Sequence, residues 1–462
     1  MADESAATQA GLSPGQRHDG QRLVRRFALL NGVSVALLMD SMLILYAIRN
    51  GVGDAALAVL ASFVHLTMPL VLVGRQLIAR IGAARTWGLG WSLRNISALV
   101  MLLAPFLPPD APQGLRTAII LAGGLGFAAF RAVGLVANAP VMGEITEEGS
   151  RGRFLSGQWI RATITQVITL AGVIALLRIS PELWMFQAVI GFGAGLGIYV
   201  GWVLSRVPET DAPRRSARIP LGQVFSRVWQ APAIRRLLFA WAAGFAAFTL
   251  IIPFAVITLR NGYGLTDAQA MVFTLFTILG GTSASVVNGL VADRVGPRPL
   301  FILYTAALAA IGGFWALAPS VLIPVPTALV FFLSGFSKFG ILAVSNHYFL
   351  DISSEEDRVG NSMILRAAGG AVAGLIGSVV GGGLLAGLGA LGLEGIELYR
   401  AYFRVAVVLV AALVPVVAGL RRLDEWRVVA ALGLLLRPWR LAGLWRDQRR
   451  RDAAIRRDQK TV

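Results

Sequence analysis

The chain has 462 residues, 56% hydrophobic and only 15% charged; a soluble domain carries about a quarter charged residues, so the bilayer is the solvent this composition fits. It contains no cysteine, which excludes a disulfide framework, thiol catalysis and a Cys-based metal site, and its histidines, His18, His65 and His347, show no metal-ligand spacing. The net charge of +17 lacks the aromatic interleaving of a nucleic-acid surface, and its concentration in loops and tail is what the positive-inside rule produces.

Residues 1–26 are polar and end in Arg22, Arg25 and Arg26. No small-residue cleavage site follows the next apolar run, so the segment reads as a cytoplasmic tail before a first span, with no signal peptide. Apolar runs near the 20 or so residues that a span needs follow at 27–48, 57–79, 86–107, 116–139, 157–177 and 182–204, then at 237–259, 268–291, 299–319, 326–349, 362–390 and 401–420. These twelve spans divide into a six-helix bundle over 27–204 and a second over 237–420. Between them, 205–236 holds Pro208, Pro213, Pro220, Pro232 and seven arginines, and reads as a cytoplasmic linker with an amphipathic helix around Leu221–Trp229. The basic tail 421–462 contains an apolar run, Val428–Leu436, too short to span. Flanked by Trp426, Trp439, Trp445 and arginines, it is expected as an interfacial helix on anionic lipid. With both termini inside, inner segments hold 31 basic residues and outer loops and span ends six, which fixes that orientation.

Two loops share an acidic-to-arginine pattern. Glu144-Ile145-Thr146-Glu147-Glu148-Gly149-Ser150-Arg151 follows span 4, and Asp351-Ile352-Ser353-Ser354-Glu355-Glu356-Asp357-Arg358 follows span 10, with both ends offset by 207 positions. Each lies between apolar runs, so the chain is expected to contain two related membrane bundles, as secondary transporters do.

The loop after span 8 reads Gly289-Leu290-Val291-Ala292-Asp293-Arg294-Val295-Gly296-Pro297-Arg298. It resembles the short-turn signature of the major facilitator superfamily. The loop after span 2, Ala79-Arg80-Ile81-Gly82-Ala83-Ala84-Arg85, is a decayed copy with Ala79 at the aspartate position. The resemblance covers essentially 27–420. It implies an all-α membrane protein with twelve transmembrane helices in two six-helix pseudo-repeats, working by alternating access. In the family the turn is a latch for the state closed to the cytoplasm, which makes Asp293, Arg294, Gly296 and Arg298 gate candidates. Span 5 lacks the proline-glycine signature of many proton-driven drug exporters of that superfamily.

Among the charged side chains inside the spans, six stand out: Asp40, Arg94, Arg131, Arg161, Lys338 and Arg366. Each costs about 2.5–3.5 kcal/mol at a helix centre, so they must pair, meet water or snorkel. Arg161 and Arg366, about 6–9 Å from the inner ends of spans 5 and 11, are expected to form gate ion pairs with the duplicated carboxylates Glu144 and Asp351, beside Arg151 and Arg358. Arg94 is expected to snorkel, and His65 to be structural. Asp40, Arg131 and Lys338 lie on spans 1, 4 and 10, which the resemblance puts around the central cavity with span 7. Ser334 shares a helical stripe with Lys338, and Asn138 shares the Arg131 face.

These residues point to a secondary active transporter, not an enzyme, without a cofactor, in the bacterial inner membrane and acting as a monomer among membrane lipids. Its expected substrate is a small anionic or polar organic solute, because Arg131 and Lys338 outweigh Asp40; protons are the candidate coupling ion. Two other readings use the same residues: proton-coupled efflux of amphiphilic compounds, and a non-transporting receptor or assembly factor. The retained turn and acidic loops weigh against the last.

Overall fold

The computed structural model describes residues 11–38, 40–146, 148–218, 220–353, 358–422 and 426–437, without the side chains of Asp40, 148–153, 155–156, Asp293 and 358–359. The described residues are helical, with no strand among them. Twelve helices are long and apolar enough to cross a membrane. They are Pro14–Arg49, Asp54–Ile81, Ala83–Phe106, Gln113–Ile145, Gly157–Ile179 and Leu183–Leu204 (spans 1 to 6), then Pro232–Gly262, Asp267–Ala292, Pro297–Ala316, Pro324–Ile352, Gly360–Ala390 and Gly395–Ala418 (spans 7 to 12). This is a multi-pass membrane architecture. Among the described residues the spans are even in number, so the start of span 1 and the end of span 12 lie on one face, the terminal face; the opposite one is the distal face.

Local chemistry sets the helix starts. Ser13 and Gln16 form a capping box before span 1, and Thr266 and Gln269 form one before span 8. Proline occupies the first turn of spans 7, 9 and 10, where a missing N–H costs nothing.

Spans 1–6 pack mainly on one another, as do spans 7–12, and the halves meet along spans 2 and 11 and along spans 5 and 8. Span 7 is the central helix, with 94% of its apolar window buried; span 5 is peripheral at 22%. Glycines set the span 2–span 11 contact. A Cβ at Gly374 would sit 2.5 Å from Leu66 Cα, one at Gly370 2.5 Å from Met68 Cβ, and one at Gly377 2.6 Å from Ser62 Oγ. The helix is also irregular there: Ile376–Gly382 is a π-helical stretch. Span 11 is therefore both closely packed and distorted.

Two short helices, Ala212–Ala217 and Leu221–Gln230, cross between the halves on the terminal face. Beyond span 12, Val428–Leu435 forms a short helix. It packs on span 9, with Ala431 and Leu434 buried, and Trp426 N donates to Val295 O at 3.0 Å.

Candidate functional site

Two spans bring a cationic or titratable side chain to the aromatic face of span 7, and two more hold arginines within electrostatic reach. His65 of span 2 is buried, its ring 5.4 Å from Phe245 and 5.6 Å from Phe248. Phe245 in turn lies 4.0 Å from Trp241. Lys338 of span 10 sets its Nζ 4.5 Å from the Phe248 ring centre and 5.9 Å from that of Phe339. Arg131 of span 4 and Lys338 lie within electrostatic reach of His65, and Arg366 of span 11 within reach of Arg131. Arg131, Lys338 and Arg366 thus share one region with His65, lined by three aromatic residues of a single helix.

Arg131 and Lys338 both lie within electrostatic reach of His65. Arg366 departs from expectation: it lies near Arg131, two turns into span 11, and makes no recorded ion pair with Asp351. Asp351 is exposed, and its nearest recorded ionic neighbour is His347, one helical turn away at 3.7 Å. Ser334 is buried, but its hydroxyl donates to Val330 O at 2.8 Å within its own helix. Asn138 is half-buried at the start of the helix Asn138–Ile145, after a short break in span 4. Asp40 begins the helix Asp40–Arg49, and its side chain lies outside the described residues. Arg94 does not snorkel; it is buried at 3% exposure against the rings of Trp91 and Phe127, at 5.2 and 4.6 Å.

The distal face carries a charged network between the halves. Asp267, at the start of span 8, accepts from Arg49 of span 1 at 2.5 Å and from Arg260 of span 7 at 2.7 Å, and is 1% exposed. Asp54, at the start of span 2, accepts from Asn261 at 2.5 Å and from the Tyr399 hydroxyl of span 12. Arg260 and Asn261 lie in a π-helical turn, Thr258–Gly262. One further turn-pair inward, Thr274 Oγ1 donates to Ser41 Oγ at 3.0 Å, so the halves are in contact about 10 Å below Asp267. The distal face is closed. None of this network was among the candidates from sequence. Its signal is an arginine ending spans 1 and 7 followed by an aspartate opening spans 2 and 8.

On the terminal face the two turns share one backbone form. Gly82 has φ 94° and ψ 169°, and Gly296 has φ 85° and ψ 154°, a region other residues rarely adopt. Arg298 Nη2 donates to Ala418 O at 2.5 Å, capping the end of span 12, while Arg294 is exposed. The side chains of Asp293, Arg151 and Arg358 lie outside the described residues. Glu144 makes no recorded contact with Arg161, which is exposed; it binds the linker, accepting from Thr210 N at 2.9 Å and from the Thr210 hydroxyl. Glu209, also unforeseen, accepts from Ala83 N and Ala84 N at 2.6 and 2.8 Å. Burial pushes its carboxyl above the ordinary value, opposed by those two N–H groups and Arg214 and reinforced by Glu144. Among the described residues no cluster of His, Asp or Glu could hold a metal ion.

No protein-family model matches the sequence, and no curated protein matches it either. The structure resembles solved transporters. The nucleoside transporter NupG, crystallised as a point mutant, aligns with TM-score 0.67 at 10% identity over 87% of this chain and 100% of that one. A POT family transporter in complex with 5-aminolevulinic acid gives 0.59 at 12% over 87% and 97%. The xylose transporter XylE from E. coli, in a partially occluded inward open conformation, gives 0.59 at 12% over 88% and 99%. Such identities establish the fold, and the chain has the twelve-helix fold of the major facilitator superfamily, in two six-helix halves.

Proposed function

We propose that the protein is a secondary transporter of a small organic anion, working by alternating access from the inner membrane with both termini cytoplasmic. The observation that carries this reading is the placement of Lys338 and His65 on the aromatic face of span 7, with Arg131 within electrostatic reach of His65 and Arg366 within reach of Arg131. Away from the ends of the twelve apolar runs, Asp40 is the single carboxylate against seven cations. Positive charge held in the membrane interior is costly, and an anionic substrate lowers that cost as it binds. The same step supplies selectivity, since a cation entering the cluster meets like charge. The closed distal network and the turns on the terminal face suit a protein whose halves rock about this region.

Two substitutions test the reading in proteoliposomes and by thermal shift against a panel of carboxylates and organic phosphates. Lys338→Gln removes one charge with little change of volume; we expect stabilisation by the bound anion to fall at least tenfold in apparent affinity while the unliganded protein stays folded. Uptake restricted to cations, and indifferent to this change, overturns the anion assignment. Asp40 is the proposed proton site. Asp40→Asn is expected to abolish accumulation driven by a pH gradient and to spare exchange; unchanged accumulation rules that role out.

A further inference from the structure

Three linker residues grip three elements of the N-terminal half. The Glu209 carboxylate accepts from the first two N–H groups of span 3, Ala83 N and Ala84 N. Thr210 donates twice to Glu144 at the end of span 4, and Arg214 Nη2 donates to Ile81 O, at the end of span 2, at 3.3 Å. Gly82 admits the carboxylate: a Cβ there would collide with Glu209 Oε1. This is the turn whose aspartate position is occupied by Ala79, so the carboxylate that the turn itself lacks comes from the linker. Further on, the linker holds the other half. Val224 packs where a Cβ on Gly360 of span 11 would sit, and Leu221 packs on a cluster that joins Val71 and Ala132 to Met363 and Ala367.

We propose that this segment is a strap across the terminal face and that Glu209 is its releasable bolt, a positioning residue that sets how far the halves can separate. Bolted, the seven residues from Arg214 to Leu221 span at most about 25 Å; released, the seventeen from Leu204 to Leu221 reach about 60 Å. Thr210 and Arg214 lie within five residues of Glu209 and lose their register when it leaves.

The charged groups facing Glu209 are Arg214, from the linker helix, and Glu144, from the end of span 4. Its carboxyl, raised by burial and by Glu144, takes a proton more readily in the bolted state than in water. The sign follows from linkage: bolting is favoured below the ordinary carboxyl value and weakens as pH rises through the raised one. A neutral Glu209 still accepts both N–H groups without repelling Glu144. An ionised one is drawn back to water.

The absence of cysteine makes a spin-labelled pair clean: Arg85→Cys at the turn and Arg215→Cys on the linker, both exposed. In purified full-length protein in lipid nanodiscs, we expect one short distance at acid pH and a growing long component toward neutral pH. Glu209→Gln, a permanent mimic of the protonated form, keeps the short distance at every pH. Glu209→Ala gives the long one at every pH. Thr210→Val, which leaves the carboxylate in place, shifts the population part-way in the same direction and serves if the alanine variant does not fold. A short distance retained by Glu209→Ala, a pH response retained by Glu209→Gln, or a pH-independent wild type overturns the proposal. The readout needs no substrate, so it stands apart from the transport reading.

Discussion

A carboxylate with 1% exposure between two guanidiniums is held by attraction that solvent screens little, and removing it leaves two like charges facing one another across the halves. Asp267→Asn is therefore expected to weaken distal closure by about 3–5 kcal/mol, the usual cost of breaking a buried pair on one side. A single cysteine at Ser41, two turns inside the network, should then label from the distal side far faster than in the otherwise unchanged protein. Equal labelling rates mean that Asp267 does not hold this face. The network was hidden in the sequence for a physical reason. Arg49 and Asp267 stand 218 positions apart and belong to different halves, so only tertiary structure brings them together. Lys338 was legible because a lysine near the middle of a long apolar run has a cost that any environment must answer. Arg366 was only partly legible, because depth along a helix gives distance from the membrane surface but not that Arg131 lies within electrostatic reach.

The helices themselves were the most legible level. A run of about 20 apolar residues has few structural alternatives in lipid, since every backbone group must be satisfied within the segment. Each of the twelve runs is a helix, and the main differences lie at the ends: span 1 already begins at Pro14, in the segment read as a polar tail, and spans 4 and 10 continue to Ile145 and Ile352, beyond their apolar limits, where polar residues extend the helix. Span 11 shows what composition leaves open. Glycines within a span suit either packing or bending, and here the structure has both. The positions are not equivalent. At Gly374 a Cβ meets the Leu66 backbone, which cannot rotate away, whereas at Gly387 nothing lies within 4 Å. Gly374→Ala should cost about 1–3 kcal/mol by overpacking and slow any exchange that requires spans 2 and 11 to slide. Gly387→Ala should leave both thermal stability and flux close to wild type. Similar effects at the two sites in a melting assay would mean that the span 2–span 11 contact is not tight.

At the scale of the whole molecule, the arrangement of charge decides which way the protein faces. The terminal face carries the linker arginines, while the arginines of the distal face include Arg49 and Arg260, engaged with Asp267, and Arg400, which bonds Ala318 O and Glu397. Insertion machinery reads the mobile positive charge of short loops, and moving basic loops across a membrane is opposed. Of the 42 basic residues, 31 lie in segments assigned to the terminal face and six in the opposite loops and span ends, so the orientation is specified by many loops acting together. With twelve spans, this charge pattern is expected to put both ends on the cytoplasmic side. Reporter fusions after residues 110 and 264 should show periplasmic activity, and fusions after 215 and 462 cytoplasmic activity. Adding two arginines to the loop at 110 should leave that pattern intact, since a change of two is small against the existing difference. A periplasmic signal from the fusion at 462 would mean an odd number of crossings. It would then break the pairing of halves on which the distal network and the linker strap both depend.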